Sequence, residues 1–556
     1  MKKERKTYHT YHFIYLLWGL ALLFLLTGCV YEKEQGGEHA VQNNVDTQEM
    51  KQAKTTPFGR YPELVTYTLG KMSNLDNAGM PEGDTYENNA YTRYLKKKLN
   101  IQNKNVFHGS GADYNNMVMT AIISGEIPDL MVLEDYEHLK LLVEKDMIED
   151  LTPYYESCAS KKLKEIYESY GSHCFDEVTF DGKLMAFPET LIDSGPNILW
   201  VRYDWLEKYH LKEPKTIKDV ENIGKVFQKN EGTIGLPMTT EISSDYIASM
   251  NILFASKGAY IKKWILKDGL YQYGSILPEA KEGLKELRRW YQNGILDQQF
   301  LFRGDQNIEQ LIIDGKCGIF FGEWWSGDHP LMKAKETNKN ADWRPYLIET
   351  DQDGRTSYVR QKPIGKYVVV RKGYQHPELV IKMHSVLFGE EENEEERKEI
   401  IQYYEMNVDP TARPCCINVD YQDALKRFSD EISLAMEGRK KVEQLDSFNR
   451  SYYLICERYM REKENAKPSD WAAYTTRMLA CSLLREEKIK QVEHYEKGDT
   501  IWKKNILWSN LEQMEKEVYI SIIIGEKPLS YFDEFVNKWK ANGGDEIIKE
   551  MNEKIQ

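Results

Sequence analysis

Aromatic and acidic side chains follow apolar runs at several points of the chain. Glu134, Asp135 and Tyr136 come directly after the apolar run at 130–133, and Trp324 and Trp325 come soon after the run at 318–322. Flat aromatic rings can cover the apolar faces of a sugar ring, whereas carboxylates and amides form hydrogen bonds with the hydroxyl groups at its edge. Since ligands of α/β sheets bind where strands end in loops, these residues are candidates for binding a sugar without covalent chemistry.

Two further candidates lie on other loops, and each candidate has a structural alternative. Glu189 follows a Phe-Pro pair and could accept a hydrogen bond from a hydroxyl group, while Tyr246 ends a Ser-Asp-Tyr run. Asp135 could instead cap a helix in a solvated turn, Glu189 could be a surface carboxylate, and Tyr246 could pack in the core. Adjacent residues of a strand point to opposite sides, so at most one of Trp324 and Trp325 is expected to stack on a ligand.

Motifs that mark common catalytic centres do not occur in the sequence. There is no Gly-x-Ser-x-Gly elbow, no His-Glu-x-x-His, no phosphate loop and no Gly-x-Gly-x-x-Gly. A carboxylate pair for glycoside hydrolysis stays open, because Asp and Glu are abundant. The run at 351–354 resembles the start of a calcium loop but lacks the later Glu, so it is interpreted as a turn. The sequence therefore offers no support for an enzyme, and no cofactor and no metal site are expected.

Length, charge and cysteine spacing exclude other classes. The chain has 556 residues, which is more than one ordinary core accommodates and predicts two or more lobes. Its formal net charge of −14 argues against a nucleic-acid partner, since such recognition needs concentrated Lys and Arg. The eight cysteines show no C-x-x-C spacing, so a zinc site is not expected; a local disulfide between Cys158 and Cys174 is one option.

The N-terminal segment indicates export and lipid attachment. Lysines and an arginine between residues 2 and 6 precede an apolar segment at 13–26, which ends in Leu-Thr-Gly-Cys at 26–29. This order is typical of a secretory signal over residues 1–28, and the apolar segment is shorter than the roughly 20 residues of a bilayer-spanning helix. The last four residues resemble a lipobox, which implies acylation of Cys29 and a lipid anchor at the outer face of the cell membrane. Residues 29–58 are expected to form a flexible spacer.

The elements that must position the candidate residues alternate between strand and helix. Strands are expected at 64–69, 130–133, 184–188, 198–201, 318–322 and 367–370. Helices are expected at 116–124, 205–209, 217–227, 280–293, 379–388 and 531–539. We expect Gly70 to end the first strand, Asp204 to cap the helix at 205–209, and Thr216 to open a capping box. This alternation indicates α/β layers, followed from about residue 390 by a mostly helical region.

Five motifs follow one another across nearly the whole chain. They are Ser-Gly-Glu-Ile-Pro-Asp at 124–129, Asp-Gly-Lys-Leu-Met-Ala-Phe-Pro at 181–188, Trp-Val-Arg-Tyr-Asp-Trp-Leu at 200–206 with Pro-Lys-Thr at 214–216, Gly-Lys-Cys-Gly at 315–318 before the two tryptophans, and Phe-Val-Asn-Lys-Trp at 535–539 with Gly-Gly at 543–544. Together they resemble the extracellular solute-binding lipoproteins of ABC importers, in the maltose-binding-like branch and its LipO-type members.

The resemblance implies a fold, a function and partners. The fold would be a two-lobed α/β, type II periplasmic-binding-protein-like fold with extra helices in the C-terminal half. One lobe would comprise 59–188 and about 363–410, the other 189–362 and about 411–556. A monomeric, lipid-anchored receptor would capture a carbohydrate such as an oligosaccharide between the hinged lobes and deliver it to the membrane subunits of an ABC permease. The family pattern also implies ligand contact at 134–136 and favours Trp324 over Trp325 for stacking. It makes Arg202 and Asp204 either a structural pair or a cap.

Other functions remain open at this point. The same fold could bind peptides or another polar solute, because a fold does not fix its ligand. A carbohydrate-active enzyme and a surface scaffold or sensor without transport are further alternatives.

Overall fold

The computed structural model describes residues 48–74, 77–171, 173–244, 246–389, 394–406, 408–463, 465–485, 487–494 and 506–553. The signal segment, the acylation site expected at Cys29 and Asp245 lie outside these ranges. Residues 48–55, at the end of the predicted spacer, are helical. Within the described ranges, no helix combines the length and apolar character that crossing a membrane requires.

Most strands are short. They are β1 (Val65–Met72), β2 (Ile101–Gly109), β3 (Leu130–Leu133), β4 (Thr179–Phe180), β5 (Lys183–Leu184), β6 (Phe187–Thr190), β7 (Ile198–Arg202), β8 (Trp264–Lys267), β9 (Leu270–Tyr273), β10 (Ile319–Gly322), β11 (Trp343–Tyr346), β12 (Thr356–Tyr358), β13 (Ile364–Val370) and β14 (Ile489–Gln491).

Helices separate and follow these strands. After α1 (residues 48–55) they are α2 (Ala90–Leu99), α3 (Gly111–Ser124), α4 (Tyr136–Glu144), α5 (Thr152–Cys158), α6 (Lys161–Glu168), α7 (His173–Asp176), α8 (Tyr203–Lys208), α9 (Ile217–Glu231), α10 (Asn251–Ala255), α11 (Pro278–Gln292), α12 (Asp305–Ile313), α13 (Leu331–Thr337), α14 (Leu379–Phe388), α15 (Glu394–Glu405), α16 (Ala424–Met436), α17 (Ser447–Glu462), α18 (Pro468–Tyr474), α19 (Cys481–Leu483), α20 (Ile506–Ile524), α21 (Tyr531–Trp539) and α22 (Asp545–Glu553).

Four strands from the first half of the chain and β13 from the second half build the large sheet, with strand order β2-β1-β3-β13-β6. Strands β1, β2 and β3 run parallel, as expected for strands joined through helices, whereas β13 pairs antiparallel with both β3 and β6. All four residues of β3 are buried, which explains its continuously apolar sequence. Since β13 comes long after β6 in sequence, the chain leaves this sheet after Thr190 and returns at Ile364.

The segment between Thr190 and Ile364 builds the small sheet, in which β7 lies between β10 and β11 and pairs antiparallel with both. Successive side chains of a strand point to opposite faces, and here both faces are covered. Leu199 and Phe321 pack in the cluster that includes residues of α9, α11, α20 and α21. Trp200 and Phe320 pack on the opposite side, in a cluster with residues of α18 and α19.

The helices α16 to α19, which we call the helical extension (residues 424–483), cover that second face. Part of the extension has its own small core, which includes Phe428, Ile432 and Tyr452. Trp471 and Cys481 instead join the core of the small sheet. A π-helical segment, Thr475–Ala480, connects α18 to α19. The prediction of a mostly helical C-terminal region is therefore confirmed.

Three stretches of chain pass side by side from the region of the large sheet to that of the small sheet: 190–193, 361–363 and 418–422, the crossing segments. The backbone N–H of Thr190 donates to the carbonyl of Asn418 over 3.0 Å, and that of Leu191 to the carbonyl of Pro363 over 2.7 Å. The N–H of Asp193 donates to the carbonyl of Gln422 over 2.9 Å. These hydrogen bonds join the three segments into one narrow connection.

Several predicted elements are confirmed and two details are wrong. Helix α14 has its predicted bounds, and Thr216 forms its predicted capping box at the start of α9. Gly70 does not end β1, which continues to Met72. A Cβ at Gly70 would lie 2.5 Å from the ring of Phe107, so this glycine permits close packing instead of terminating the strand.

Asp204 does not cap α8, because the N-cap residue is Arg202 and Asp204 lies in the first turn. Its carboxylate instead accepts two hydrogen bonds from the Arg202 guanidinium, at 2.8 and 2.6 Å. Among the described residues, Cys158 and Cys174 are free and buried, so the disulfide considered for them is not formed.

Candidate functional site

A pocket, which we call the main pocket, opens beside the crossing segments. Part of its lining comes from residues 193–197 and 357–361, which lead out of and into those segments. The rest consists of Asn251, Ile252, Ala255, Tyr260, Ile261, Lys263 and Glu323. All of these residues lie between Thr190 and Ile364, on the small-sheet side of the connection. A position beside the junction of two parts of a fold is one that ligand sites favour.

The polar lining of the main pocket combines neutral hydroxyl and amide groups with a few charged side chains. Asp193 accepts a hydrogen bond from the phenol of Tyr358 over 2.7 Å, which links two of its wall segments. The amide of Asn251 donates to the amide oxygen of Asn197 over 3.5 Å. Amides, phenols and a few carboxylates, each able to donate or accept, are the groups that recognise hydroxyl-rich ligands.

A second recess, the side pocket, adjoins it and shares Lys263 with it. Its lining is Glu241, Ser243, Ser244, Lys262, Lys263 and Asp305. Lys262 pairs with Glu241 over 3.1 Å, so part of the charge is neutralised within the wall. The pKa of Asp305 is raised, because of burial and then because the carboxylates of Glu309 and Glu241 lie nearby.

Tyr246 and Trp325, the aromatic pair, stack on each other. Neither ring lines either pocket, but Ser244 of the side pocket and Glu323 of the main pocket each lie two positions before one of them. The two ring centroids lie 5.3 Å apart with planes 20° from parallel. The chain brings them together because Ile247 forms an antiparallel bridge with Gly322, the last residue of β10. The Tyr246 phenol donates to Glu309 over 2.6 Å, and the pKa of Tyr246 is raised by burial and by this carboxylate.

The two tryptophans do not lie in a strand, as the argument from alternating side chains assumed. They begin a 3-10 helix, Trp324–Gly327, which we call the tryptophan turn. Trp324 is partly buried and packs against the core of the small sheet, whereas Trp325 joins the aromatic pair. Neither ring lines either pocket, and the predicted ligand contact of Trp324, Trp325 and Tyr246 stays a prediction.

The candidates at 134–136 lie on the large sheet, at the end of β3. Asp135 is the N-cap of α4 and accepts from the N–H of Glu137 over 2.8 Å. Tyr136 stacks on Phe180, with centroids 6.3 Å apart, and packs at an angle against Tyr367. Glu134 is partly buried. None of the three lines either pocket, and their contact with a ligand stays a prediction.

Glu189 is buried in β6 with 2% of its surface exposed. Lys366 on β13 donates to both of its carboxylate oxygens, at 3.1 and 3.2 Å, and the N–H of Asn418 donates to one of them over 3.0 Å. Although burial opposes a charged lysine, the Glu189 carboxylate raises the pKa of Lys366. The side chain thus joins β6, β13 and a crossing segment, and its role as a ligand contact stays a prediction.

Several residues of the main pocket were not among the predicted ones, including Asp193, Asn197, Asn251 and Tyr358. Most belong to loops without apolar periodicity, so a single sequence carries no pattern that marks them. Glu323 is the exception, since it directly precedes the two tryptophans. The run at 351–354 forms the predicted turn, in which Asp351 and Asp353 pair with Arg355. Within the described ranges, no group of three or more His, Cys, Asp or Glu side chains could hold a metal ion.

Known proteins share this sequence pattern and fold. The family of bacterial extracellular solute-binding proteins matches residues 77–394. The polygalacturonan/rhamnogalacturonan-binding protein YtcQ of Bacillus subtilis is 19% identical over 445 residues, which cover 78% of this chain and 81% of YtcQ. Lipoprotein LipO of Bacillus subtilis is 20% identical over 474 residues, covering 80% and 84%.

A solved structure shows the same architecture. The Streptococcus pneumoniae ABC-transporter substrate-binding protein FusA in complex with kestose is similar with a TM-score of 0.57 at 14% identity, over 88% of this chain and 98% of FusA. The two-lobed α/β, type II periplasmic-binding-protein-like fold with extra C-terminal helices is confirmed, while the predicted lobe boundaries stay predictions. Since the family match covers more than half of the 556 residues, this chain belongs to the family of bacterial extracellular solute-binding proteins.

Proposed function

We propose that this protein is the solute-binding receptor of an ABC importer and that its solute is an oligosaccharide. The observation that carries the proposal is the aromatic pair, whose two residues each follow, two positions along the chain, a residue that lines one of two pockets with hydroxyl, amide and carboxylate groups. A stacked tyrosine and tryptophan offer a rigid flat surface for sugar faces, and the polar lining offers partners for the hydroxyl groups. The names of YtcQ and of the FusA complex, both with carbohydrate ligands, support this ligand class.

The receptor would be held at the outer face of the cell membrane by acyl chains on Cys29 and would pass its ligand to the membrane subunits of a permease. The signal segment with its lipobox and the similarity to LipO support the anchor. Two chains or more give stable attachment, where one alone is reversible. The ligand would leave chemically unchanged, because binding by stacking and hydrogen bonds breaks no covalent bond.

The crossing segments are the proposed hinge. They form a narrow connection beside the main pocket, and residues next to them line it. Every residue that lines the main pocket lies between Thr190 and Ile364, so closure would bring the large-sheet lobe towards the pocket. A ligand held in the pocket that also contacts that lobe in the closed state would favour closure by its differential affinity.

Calorimetric titration with a set of neutral and acidic oligosaccharides, with peptides as the competing class, tests the proposal. The variant W325A is expected to bind the best oligosaccharide on the order of 10–100-fold more weakly, because a stacking ring worth about 1–3 kcal/mol is removed. F302A serves as the matched control, since Phe302 is an aromatic side chain with 85% of its surface exposed and is not part of the aromatic pair. Binding of peptides but no sugar, or recovery of a cleaved sugar, would contradict the proposal.

A further inference from the structure

One buried arginine of the helical extension reaches the tryptophan turn. Arg477 is 8% exposed, and its guanidinium lies 5.0 Å from the ring centre of Trp324 and 4.5 Å from that of Tyr452. A nitrogen of the same group lies 2.9 Å from the carboxylate of Asp328, which follows the turn, and another donates to the Tyr452 phenol over 3.1 Å. The cation is thus placed between two aromatic rings and paired with a carboxylate.

The extension and the turn also approach each other through their backbones. A Cβ added to Gly327 would lie 2.3 Å from the hydroxyl oxygen of Thr476 and 3.4 Å from the carbonyl oxygen of Ala472. Glycine therefore permits this contact, and a larger residue would push the turn away from the extension. Both Thr476 and Arg477 belong to the π-helical segment Thr475–Ala480. Such segments are rare in soluble proteins and occur often at functional sites.

The tryptophan turn also contributes one member of the aromatic pair, Trp325. Trp325 stacks on Tyr246, and the Tyr246 phenol donates to Glu309. His329, which lies just beyond the turn, is 3.2 Å from the same carboxylate group. The turn is therefore held between the extension on one side and Tyr246 with Glu309 on the other.

We propose that Arg477 is a positioning residue of the ligand site, which holds the tryptophan turn so that Trp325 stays stacked on Tyr246. The helical extension thereby sets the affinity of the site without touching the ligand. This inference rests on the proposed function for its effect on binding, although its effect on the stack is independent of any ligand. It gives the C-terminal region a role in recognition in addition to packing on the small sheet.

The test compares three variants of the full chain. R477M removes the charge and keeps a long side chain, R477K keeps the charge without the planar group, and R458M is the matched control. Arg458 pairs with the buried carboxylate of Asp470 over 2.6 Å, which is an ion pair of the same extension. Two quantities are measured: the near-ultraviolet circular dichroism due to Trp325, obtained by subtracting the spectrum of W325F in each background, and oligosaccharide affinity.

R477M is expected to lose most of the Trp325 signal and about tenfold in affinity, since the stack is no longer held. R477K is expected to lie between R477M and the wild type. R458M is expected to keep both quantities within about twofold of the wild type, even where its melting temperature falls. Retention of the Trp325 signal in R477M, or an equal loss in R458M, would overturn the inference. Should the wild type bind no oligosaccharide, the proposed function fails, while the dichroism of the ligand-free variants still decides on Arg477.

Discussion

The substitution E189Q separates a structural role of Glu189 from a role in ligand contact. The change keeps the size of the side chain and removes its charge. Lys366 would then lie beside a neutral amide. The side chain of Glu189 is 3% exposed and that of Lys366 is 24% exposed, so water compensates the lysine charge only in part. Breaking a buried ion pair by removing one partner costs about 3–5 kcal/mol, because the remaining charge is left without compensation.

The partial exposure of Lys366 places the expected loss at the lower end, about 3 kcal/mol in the free energy of unfolding. Urea unfolding at neutral pH measures it. The double variant E189Q/K366M is expected to recover most of the loss, because methionine replaces the lysine stem and no charge remains buried. D423N is a suitable control, since Asp423 and Arg427 form an exposed pair on one helix turn and its removal should change stability by less than about 0.5 kcal/mol.

Ligand affinity decides between the two roles. If Glu189 is purely structural, the fraction of E189Q that is folded should bind the oligosaccharide as the wild type does. A variant with wild-type stability and a large loss of affinity would refute the structural reasoning and would support the ligand contact that the sequence indicated.

Two further predictions concern regions next to the site. Burial raises the pKa of Glu515 from its ordinary value of 4.5 to about 7, so the folded state holds this proton more tightly than the unfolded chain. Stability should then fall by about 3 kcal/mol as the pH rises from about 4.5 to 7. E515Q should lose this pH dependence in urea unfolding at pH 5 and pH 8, and an unchanged dependence would contradict the assignment. A Cβ at Gly274 would lie 1.9 Å from the carbonyl oxygen of Tyr260, a residue of the main pocket. G274A should therefore cost about 1–3 kcal/mol in thermal unfolding and weaken ligand binding. The control is G224A, because Gly224 lies within α9 and the nearest atoms to its added Cβ are 3.9 Å away. G224A should leave stability unchanged or raise it by about 0.5–1 kcal/mol.

Local sequence signals account for the parts of the fold that were predicted well. The capping box at Thr216 and the bounds of α14 depend on residues a few positions apart, and the all-apolar β3 needs only burial on both faces. Gly70 shows where such signals fail: its partner Phe107 is distant in sequence, so the same residue type could mean a strand end or a close contact. Asp204 fails likewise, because pairing with Arg202 replaces capping.

Residues of the candidate site were predictable only where the composition of one short segment marks them. The two tryptophans after β10 stand out by composition, and Glu323, directly before them, lines the main pocket. The choice between them could not be made from local sequence, because Trp324 is covered by a residue that lies 153 positions later, Arg477. The loop residues at 193–197 and 357–361 form a wall only because β13 returns to the large sheet between β3 and β6.

The position of the main pocket has a consequence for how ligand and hinge would influence each other. Asp193 accepts from Tyr358 across two wall segments, and the N–H of the same Asp193 donates to Gln422 of the third crossing segment. A solute that replaces the phenol at this carboxylate would act on all three connections at once. Because binding can shift a conformational equilibrium only by its differential affinity for the two states, a contact placed on the hinge itself gives a small ligand a large influence on lobe closure.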